Sequence, residues 1–201
     1  MANDIYIVTI QRQFGSLGRP IAKKLSEILQ IEYYDRDIVE LASREMNKSK
    51  ELSDYDEKSY SKMKYPMGIG TPKMQNYLFS VQQCIISEIA TYDKSCIIVG
   101  RCSDYILRHL KNTINIFIYA PYEKRLKNCI EVLGMNENEA KDMIAKVDKA
   151  RDNYHQYYTG MPAATINGRQ IMIDSSFVGV EHTAEMLADM IKKRVAMGFE
   201  E

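Results

Sequence analysis

The residues best suited to chemistry lie near the start of the chain. There Ile5-Tyr6-Ile7-Val8-Thr9-Ile10 runs into Gln11-Arg12-Gln13-Phe14-Gly15-Ser16-Leu17-Gly18-Arg19-Pro20 and then Ile21-Ala22-Lys23-Lys24-Leu25. An apolar β-branched run, a short loop with paired glycines and a cation, then an amphipathic segment outline a phosphate-binding loop. Glycine lets backbone N–H groups crowd around an anion, and the following helix points its positive end at the same place. Against the spacing G-x-x-x-x-G-K-[ST], Gln13 stands at the first glycine and Gly18 matches the second. Arg19 replaces the lysine, and Pro20 replaces the hydroxyl that holds Mg2+. The loop keeps its cation and loses a metal ligand. Ser16 offers another hydroxyl, with no spacing rule that brings it to the metal.

Other apolar runs also end in charge or hydroxyls. Glu32-Tyr33-Tyr34 leads to Asp35-Arg36, Ser95-Cys96-Ile97-Ile98-Val99 to Gly100-Arg101, and Ile171-Met172-Ile173 to Asp174-Ser175-Ser176. Arginine suits phosphate because its planar fork donates parallel hydrogen bonds. Taken singly, each of these cations is better explained by a solvated loop; their conjunction at strand ends points to an anion pocket. The stretch Lys146-Val147-Asp148-Lys149-Ala150-Arg151-Asp152-Asn153-Tyr154 reads either as a lid over a polyphosphate or as a solvated helix face with i,i+3 and i,i+4 ion pairs. Spacing alone favours the second. His155, beside Tyr154, Tyr157 and Tyr158, reads as a packing or surface residue.

The periodicity around these residues alternates strand and helix. Strands are expected at 4–10, 32–34, 95–99, 113–119 and 171–173. Helices are expected from Ile21, over 73–92, at 104–109, after Pro121 as far as Leu133, and from Val180 to Ala196. Asp35 is a candidate cap for a further helix. Asn136 and Glu139 suggest a capping box for a long helix stopped by Gly160-Met161-Pro162. Residues 47–72 are charged, then rich in breakers, and read as an insertion. Such alternation predicts a doubly wound parallel sheet, which binds ligands beyond the C-terminal ends of its strands.

The whole chain, 201 residues with 27 basic and 27 acidic side chains, fits one compact domain. Its balanced charge carries no footprint for nucleic acid or an anionic membrane. No run approaches the roughly 20 apolar residues of a membrane span, and Met1-Ala2-Asn3-Asp4 lacks the basic start of a signal peptide. Cys84, Cys96, Cys102 and Cys129 show no ligand spacing with His109, His155 or His182. They predict reduced thiols and a cytoplasmic protein.

The loop from Thr9 to Arg19 resembles that of the cytidylate kinase-like proteins, P-loop relatives of the nucleoside monophosphate kinases. Further landmarks follow in order: Tyr34-Asp35, Val99-Gly100-Arg101-Cys102-Ser103-Asp104-Tyr105, Phe117-Ile118-Tyr119-Ala120-Pro121, Val147-Asp148-Lys149-Ala150-Arg151 before Tyr157-Tyr158-Thr159-Gly160, and Asp174-Ser175-Ser176. The resemblance implies a three-layer α/β/α P-loop domain with a parallel sheet over residues 1–201, a helical acceptor-binding insertion at 47–92 and a lid at 136–160. It implies ATP with Mg2+, and CMP or dCMP as acceptor. Gly15, Ser16, Gly18 and Arg19 would cradle the donor phosphates. Arg19, Lys149 and Arg151 would serve the transferring group, and Asp35, Arg101 and Asp174 the acceptor. No residue is assigned to the metal, and Pro20 leaves its place open. A non-catalytic nucleotide-binding module and a phosphotransferase for a non-nucleotide substrate remain alternatives. The expected partner is a small-molecule nucleotide, with no nucleic acid and no membrane; the oligomeric state is not legible.

Overall fold

The computed structural model describes residues 5–35, 72–92 and 94–199. The expected insertion up to residue 71, and the helix that Asp35 would cap, lie outside the described residues. Strand β1 (Ile7–Arg12) is followed by α1 (Gly18–Leu29), β2 (Glu32–Tyr34), α2 (Pro72–Ile89), β3 (Cys96–Val99) and α3 (Ser103–Ile106). Then come β4 (Thr113–Tyr119), α4 (Tyr122–Glu131), α5 (Glu137–Thr159), β5 (Ile171–Asp174) and α6 (Gly179–Met197).

The strands form one sheet in the order β2-β3-β1-β4-β5, with every pairing parallel. Ile7 lies level with Cys96 on one side and Thr113 on the other. Because β1 is central, both of its faces are buried, which is why it reads as a continuous apolar run. Val8 and Ile10 face Ile21 and Leu25 of α1 and Leu187 and Ile191 of α6. Ile7 turns the other way, to Ile86 and Ile89 of α2 and to Ile106 and Leu107. Helices thus cover both faces, the expected three-layer α/β/α P-loop arrangement.

Several boundaries differ from the periodicity. The expected helices 73–92, 104–109 and as far as Leu133 end instead at Ile89, Ile106 and Glu131. Two further differences matter for the site. β1 continues past Ile10, because Gln11 and Arg12 still pair with Phe117 and Ile118; this carries Arg12 to the C-terminal edge of the sheet. α1 begins at Gly18 rather than near Ile21, placing Pro20 in its first turn, where a missing N–H costs nothing. α5 starts as expected, with the Asn136 side chain accepting Glu139 N–H at 2.8 Å, and ends at Gly160 with φ 76°.

Two sets of contacts hold down the C-terminal part of α5. Phe79 of α2 stacks on Tyr158 with centroids 3.9 Å apart, while Tyr154 donates to Gln82 Oε1 at 3.1 Å. Beneath this aromatic seam lies a buried ionic brace around Asp104 of α3. Its Oδ1 accepts Gln11 Nε2–H at 2.9 Å, and its Oδ2 accepts His155 Nε2–H at 3.1 Å. Arg169, 1% exposed, places Nη1 at 2.7 Å from the same Oδ2. His155 Nδ1 lies 2.7 Å from the Met161 carbonyl, so an imidazolium would satisfy both ring donors.

Burial alone would raise the Asp104 carboxyl, but the His155 hydrogen bond and the Arg169 charge overcome it and hold it at about 2. Burial would likewise lower His155, yet Asp104 raises it above its ordinary value. The two groups act in different pH windows. Asp104 contributes stability above about pH 3.9, which is lost as pH falls toward 2. His155 contributes fully below about pH 6.5, and that share is lost as pH rises through its raised folded value. Denaturant midpoints measured from about pH 5 to about pH 9 should therefore fall more steeply for the wild type than for His155→Gln; parallel curves would remove His155 from the brace. Asp104→Asn strands Arg169 and His155 without their carboxylate and is expected to cost about 3 kcal/mol in the same measurement.

Candidate functional site

The loop between β1 and α1 is tied down by its carbonyls. Gln13 O accepts the Ser16 hydroxyl at 2.9 Å, Phe14 O accepts Arg125 Nη1 at 3.2 Å and Gly15 O accepts Asn128 Nδ2 at 2.9 Å. Ser16 O accepts Ser175 Oγ at 2.6 Å, and Leu17 O accepts Ile21 N–H at 3.1 Å. In a trans peptide the N–H points opposite to the C=O, so anchoring carbonyls on the outside leaves N–H groups facing the concave side. Gln13 N–H is used by Ile118 O at 3.0 Å and Phe14 N–H by Asp148 Oδ1 at 2.7 Å. From Gly15 through Arg19, no backbone N–H finds an acceptor among the described residues. A run of unpaired N–H groups at the start of a helix is an anion cradle.

Gly15 is needed in this loop. Its φ is +76°, and an added Cβ would lie 2.8 Å from the Arg125 carbonyl oxygen and 2.9 Å from Cys129 Sγ. Ser16 is fully buried, and its hydroxyl is spent on Gln13 O and, at 3.3 Å, on Ile118 O. What Ser16 offers a ligand is its backbone N–H.

Arginines crowd the same edge. Arg12 has Arg151, Arg19 and Arg101 as electrostatic neighbours and Asp35 as the opposing charge. Arg19 Nε lies 2.5 Å from Asp35 Oδ2, and Arg12 Nη2 lies 3.6 Å from Asp35 Oδ1. From α5, Arg151 donates to the Arg12 carbonyl at 2.9 Å and lies 4.0 Å from Asp148 Oδ1. Asp148 also takes a close ion pair from Arg125, so α5 clasps both the loop and α4. Arg101 follows β3 in a left-handed run, with φ 79° at Gly100, 59° at Arg101 and 54° at Cys102. Side-chain-bearing residues there carry strain of order 1–2 kcal/mol each.

The electrostatics register surplus positive charge. Burial, then Arg151, push Arg12 well below its ordinary value. Burial, with Arg19 and Arg101, brings Arg151 down to about 10 although Asp148 opposes the shift. Guanidiniums crowded together, with Arg12 and Arg151 largely withdrawn from water, favour an anion between them.

Of the residues singled out in the sequence, Gly15, Ser16, Gly18, Arg19, Asp35, Arg101 and Arg151 come together. Asp35 does so as the partner of Arg19 and Arg12. Lys149 is exposed on α5 and makes no ion pair with a described residue. Asp174 ends the edge strand β5, across the sheet from β2, and its Oδ1 accepts Ser176 N–H at 2.8 Å and Oγ–H at 2.7 Å. Arg12, Asp148 and Arg125 were not singled out as site residues. Arg12 carried a signal, since alternation places it on the same face as Val8 and Ile10, where a cation is unexpected unless it has a task. Asp148 and Arg125 carried none, because their meeting depends on how α4 and α5 pack.

The cradle and its arginines fit the phosphates of ATP. A protein-held Mg2+ is not matched by this donor set: Pro20 has no hydroxyl, the Ser16 hydroxyl is buried and bonded, and no group of three or more His, Cys, Asp or Glu side chains could hold a metal among the described residues.

Comparison with solved structures gives the same fold. An uncharacterized protein from Eubacterium ventriosum aligns with TM-score 0.72 and 27% identity, over 94% of this chain and 99% of its own. Shikimate kinase from Acinetobacter baumannii, solved with shikimate, aligns with TM-score 0.54 and 11% identity over 95% of each chain. Shikimate kinase from Bacteroides thetaiotaomicron aligns with TM-score 0.54 and 10% identity, over 93% of this chain and 98% of its own. No curated protein matches the chain by sequence. The model of the cytidylate kinase-like family matches residues 7–177, which takes in the loop, Asp35, Arg101, α5 and Asp174. The chain belongs to the cytidylate kinase-like family.

Proposed function

We propose that the protein transfers the γ-phosphoryl group of ATP to a nucleoside monophosphate, with CMP or dCMP as the acceptor. The observation that carries this reading is the run of unpaired N–H groups from Gly15 to Arg19, held beside Arg12, Arg101 and Arg151. In this reading the domain spans residues 1–201, with residues 47–92 as the acceptor-binding insertion and 136–160 as the lid. The described part of that insertion, α2, contacts the lid through Phe79 and Tyr158.

Phosphoryl transfer asks little covalent work of a protein; positioning and charge supply most of the catalysis. Gly15, Ser16, Gly18 and Arg19 hold the donor phosphates through their N–H groups, and the Arg19 guanidinium screens them. Arg151 enters from the lid toward the transferring group, anchored by the Arg12 carbonyl and kept near Asp148. Lys149 extends the lid's positive charge on its outer side. Asp35 and Arg101 border the acceptor side of the crevice, and Asp174 borders the crevice at the β5 edge. Mg2+ would enter with the nucleotide.

ADP formation from ATP and Mg2+, followed across CMP, dCMP, UMP, AMP, GMP and no acceptor, should show turnover that depends on a cytidine monophosphate. ATP binding without turnover on any of them would contradict the reading and leave a non-catalytic nucleotide-binding module or a phosphotransferase for a non-nucleotide substrate, which a second panel of non-nucleotide acceptors separates. Arg151→Ala is expected to lower kcat by about 100-fold or more, as loss of a charge aimed at the transferring group does. Lys149→Ala should lower it less. Equal losses from the two variants would mean that the lid acts through its total charge rather than through Arg151.

A further inference from the structure

Three arginine-bearing elements of the site are tied to one carboxylate, that of Asp104. Arg12 ends β1, Arg101 lies in the left-handed turn after β3, and Arg151 comes from α5. Gln11, next to Arg12, donates to Asp104 Oδ1 at 2.9 Å. His155, four residues beyond Arg151, places Nε2 3.1 Å from Oδ2. Asp104 itself follows Arg101 by three residues, in the short helix that continues the same turn. Each cation thus stands within a few residues of a bond to the same side chain. The Asp104 side chain is only 10% exposed, and an apolar residue there would join the elements without the cost of withdrawing charge from water. Apolar contact is not directional, however, whereas hydrogen bonds fix distance and angle. Elements whose guanidiniums repel one another need that fixing.

The His155 tie depends on a proton. Its Nδ1 lies 2.7 Å from the Met161 carbonyl, while Nε2 faces the Asp104 carboxylate. Both neighbours accept, and a neutral imidazole has a single N–H, so losing the proton gives up one of the two contacts. The Thr159 hydroxyl lies 3.0 Å from Nδ1 and donates to the His155 carbonyl at 2.7 Å. Of the charged groups around the ring, Asp104 favours the imidazolium and Arg169, on the loop before β5, opposes it. Cys102 adds no charge, because burial pushes its thiol up, and Tyr154 gives its hydroxyl proton to Gln82 of α2.

We propose that Asp104 is a positioning residue: its contact with protonated His155 keeps Arg12, Arg101 and Arg151 at the spacing that nucleotide phosphates require. This rests on the reading of those arginines as holders of nucleotide phosphates, and it adds a pH dependence to that reading. Asp104 and His155 take no part in the bond changes; they act through the arginines. Nucleotide is held best while His155 is charged. Affinity falls as pH rises through the value at which the ring loses its proton, because α5 is then released from β1 and α3.

Calorimetric affinity for a non-hydrolysable ATP analogue with Mg2+ is measured from about pH 5.5 to about pH 9 for wild type and His155→Gln. Glutamine keeps an N–H donor and lacks the charge, and the ratio of the two affinities cancels the ionisation of the nucleotide. Wild type should bind about tenfold tighter at the acid end, the difference expected for one charged hydrogen bond. The gap should close as the His155 ring, followed by NMR, loses its proton. By linkage, bound analogue should raise the pH at which that ring titrates by about one unit. A merely structural contact would move neither readout. Gln11→Met cuts the β1 tie with every charge in place and should also weaken the analogue; Ile191→Val, on the opposite face of the sheet, should bind as wild type does at every pH. If His155→Gln does not fold, Gln11→Met and the ring titration of wild type decide. Equal affinities of wild type and His155→Gln, or a gap that ignores the titration of the ring, overturn the proposal and leave the nucleotide reading in place. Failure of wild type to bind the analogue at any pH would overturn the nucleotide reading, and the proposal with it.

Discussion

The structure is organised around the difficulty of holding several guanidiniums together at one edge of the sheet. Arg12, Arg19, Arg101 and Arg151 repel one another there, and Asp35 is the carboxylate that reaches both Arg12 and Arg19. Such an arrangement is unfavourable without an anion and becomes favourable with one. Several features that look unrelated follow from it. Gly18 and Gly100 leave space for Arg12, the left-handed turn after β3 carries Arg101, and Asp148 spans Phe14 N–H and Arg125. The rest of the fold supplies the stiffness that keeps like charges from separating, chiefly through β1, which is paired on both sides.

Helix α5 is the second half of the arrangement. Arg151 and Asp148 point to the phosphate loop, while Tyr154, His155 and Tyr158 fasten the same helix to α2 and α3. The residues that touch the loop and those that anchor the helix are separated by about one to two turns of α5. Motion of α5 that frees Arg151 must therefore strain the aromatic seam or the Asp104 brace. Gln11 links the two systems directly, since it precedes Arg12 in β1 and donates to Asp104.

Much of the fold was legible because hydrophobic runs set it. The parallel order and the boundaries of β2 and β4 follow from apolar periodicity, and the Asn136 cap follows from side-chain chemistry. The ends of β1 and α1 were not legible: Gln11 and Arg12 join the sheet through backbone pairing that ignores side-chain polarity, and helix φ/ψ begins before the first buried residue of α1's apolar stripe. Spacing alone favoured a solvated face for residues 146–154; the outer face does carry the Lys146–Asp142 pair, but Asp148 and Arg151 turn inward. His155 read as a packing residue, and it is one, although its packing is ionic. The tyrosines looked scattered because Phe79 lies 75 residues from Tyr154 in the chain, and only the fold brings them together.

The central claim is that the β1–α1 loop and its arginines exist to hold nucleotide phosphates. A crystal structure with a non-hydrolysable ATP analogue and CMP tests it most directly. The account predicts triphosphate oxygens within hydrogen-bond distance of the N–H groups from Gly15 to Arg19, with Arg151 toward the terminal phosphate. Nucleotide bound elsewhere, with that loop and its arginines untouched, would contradict it.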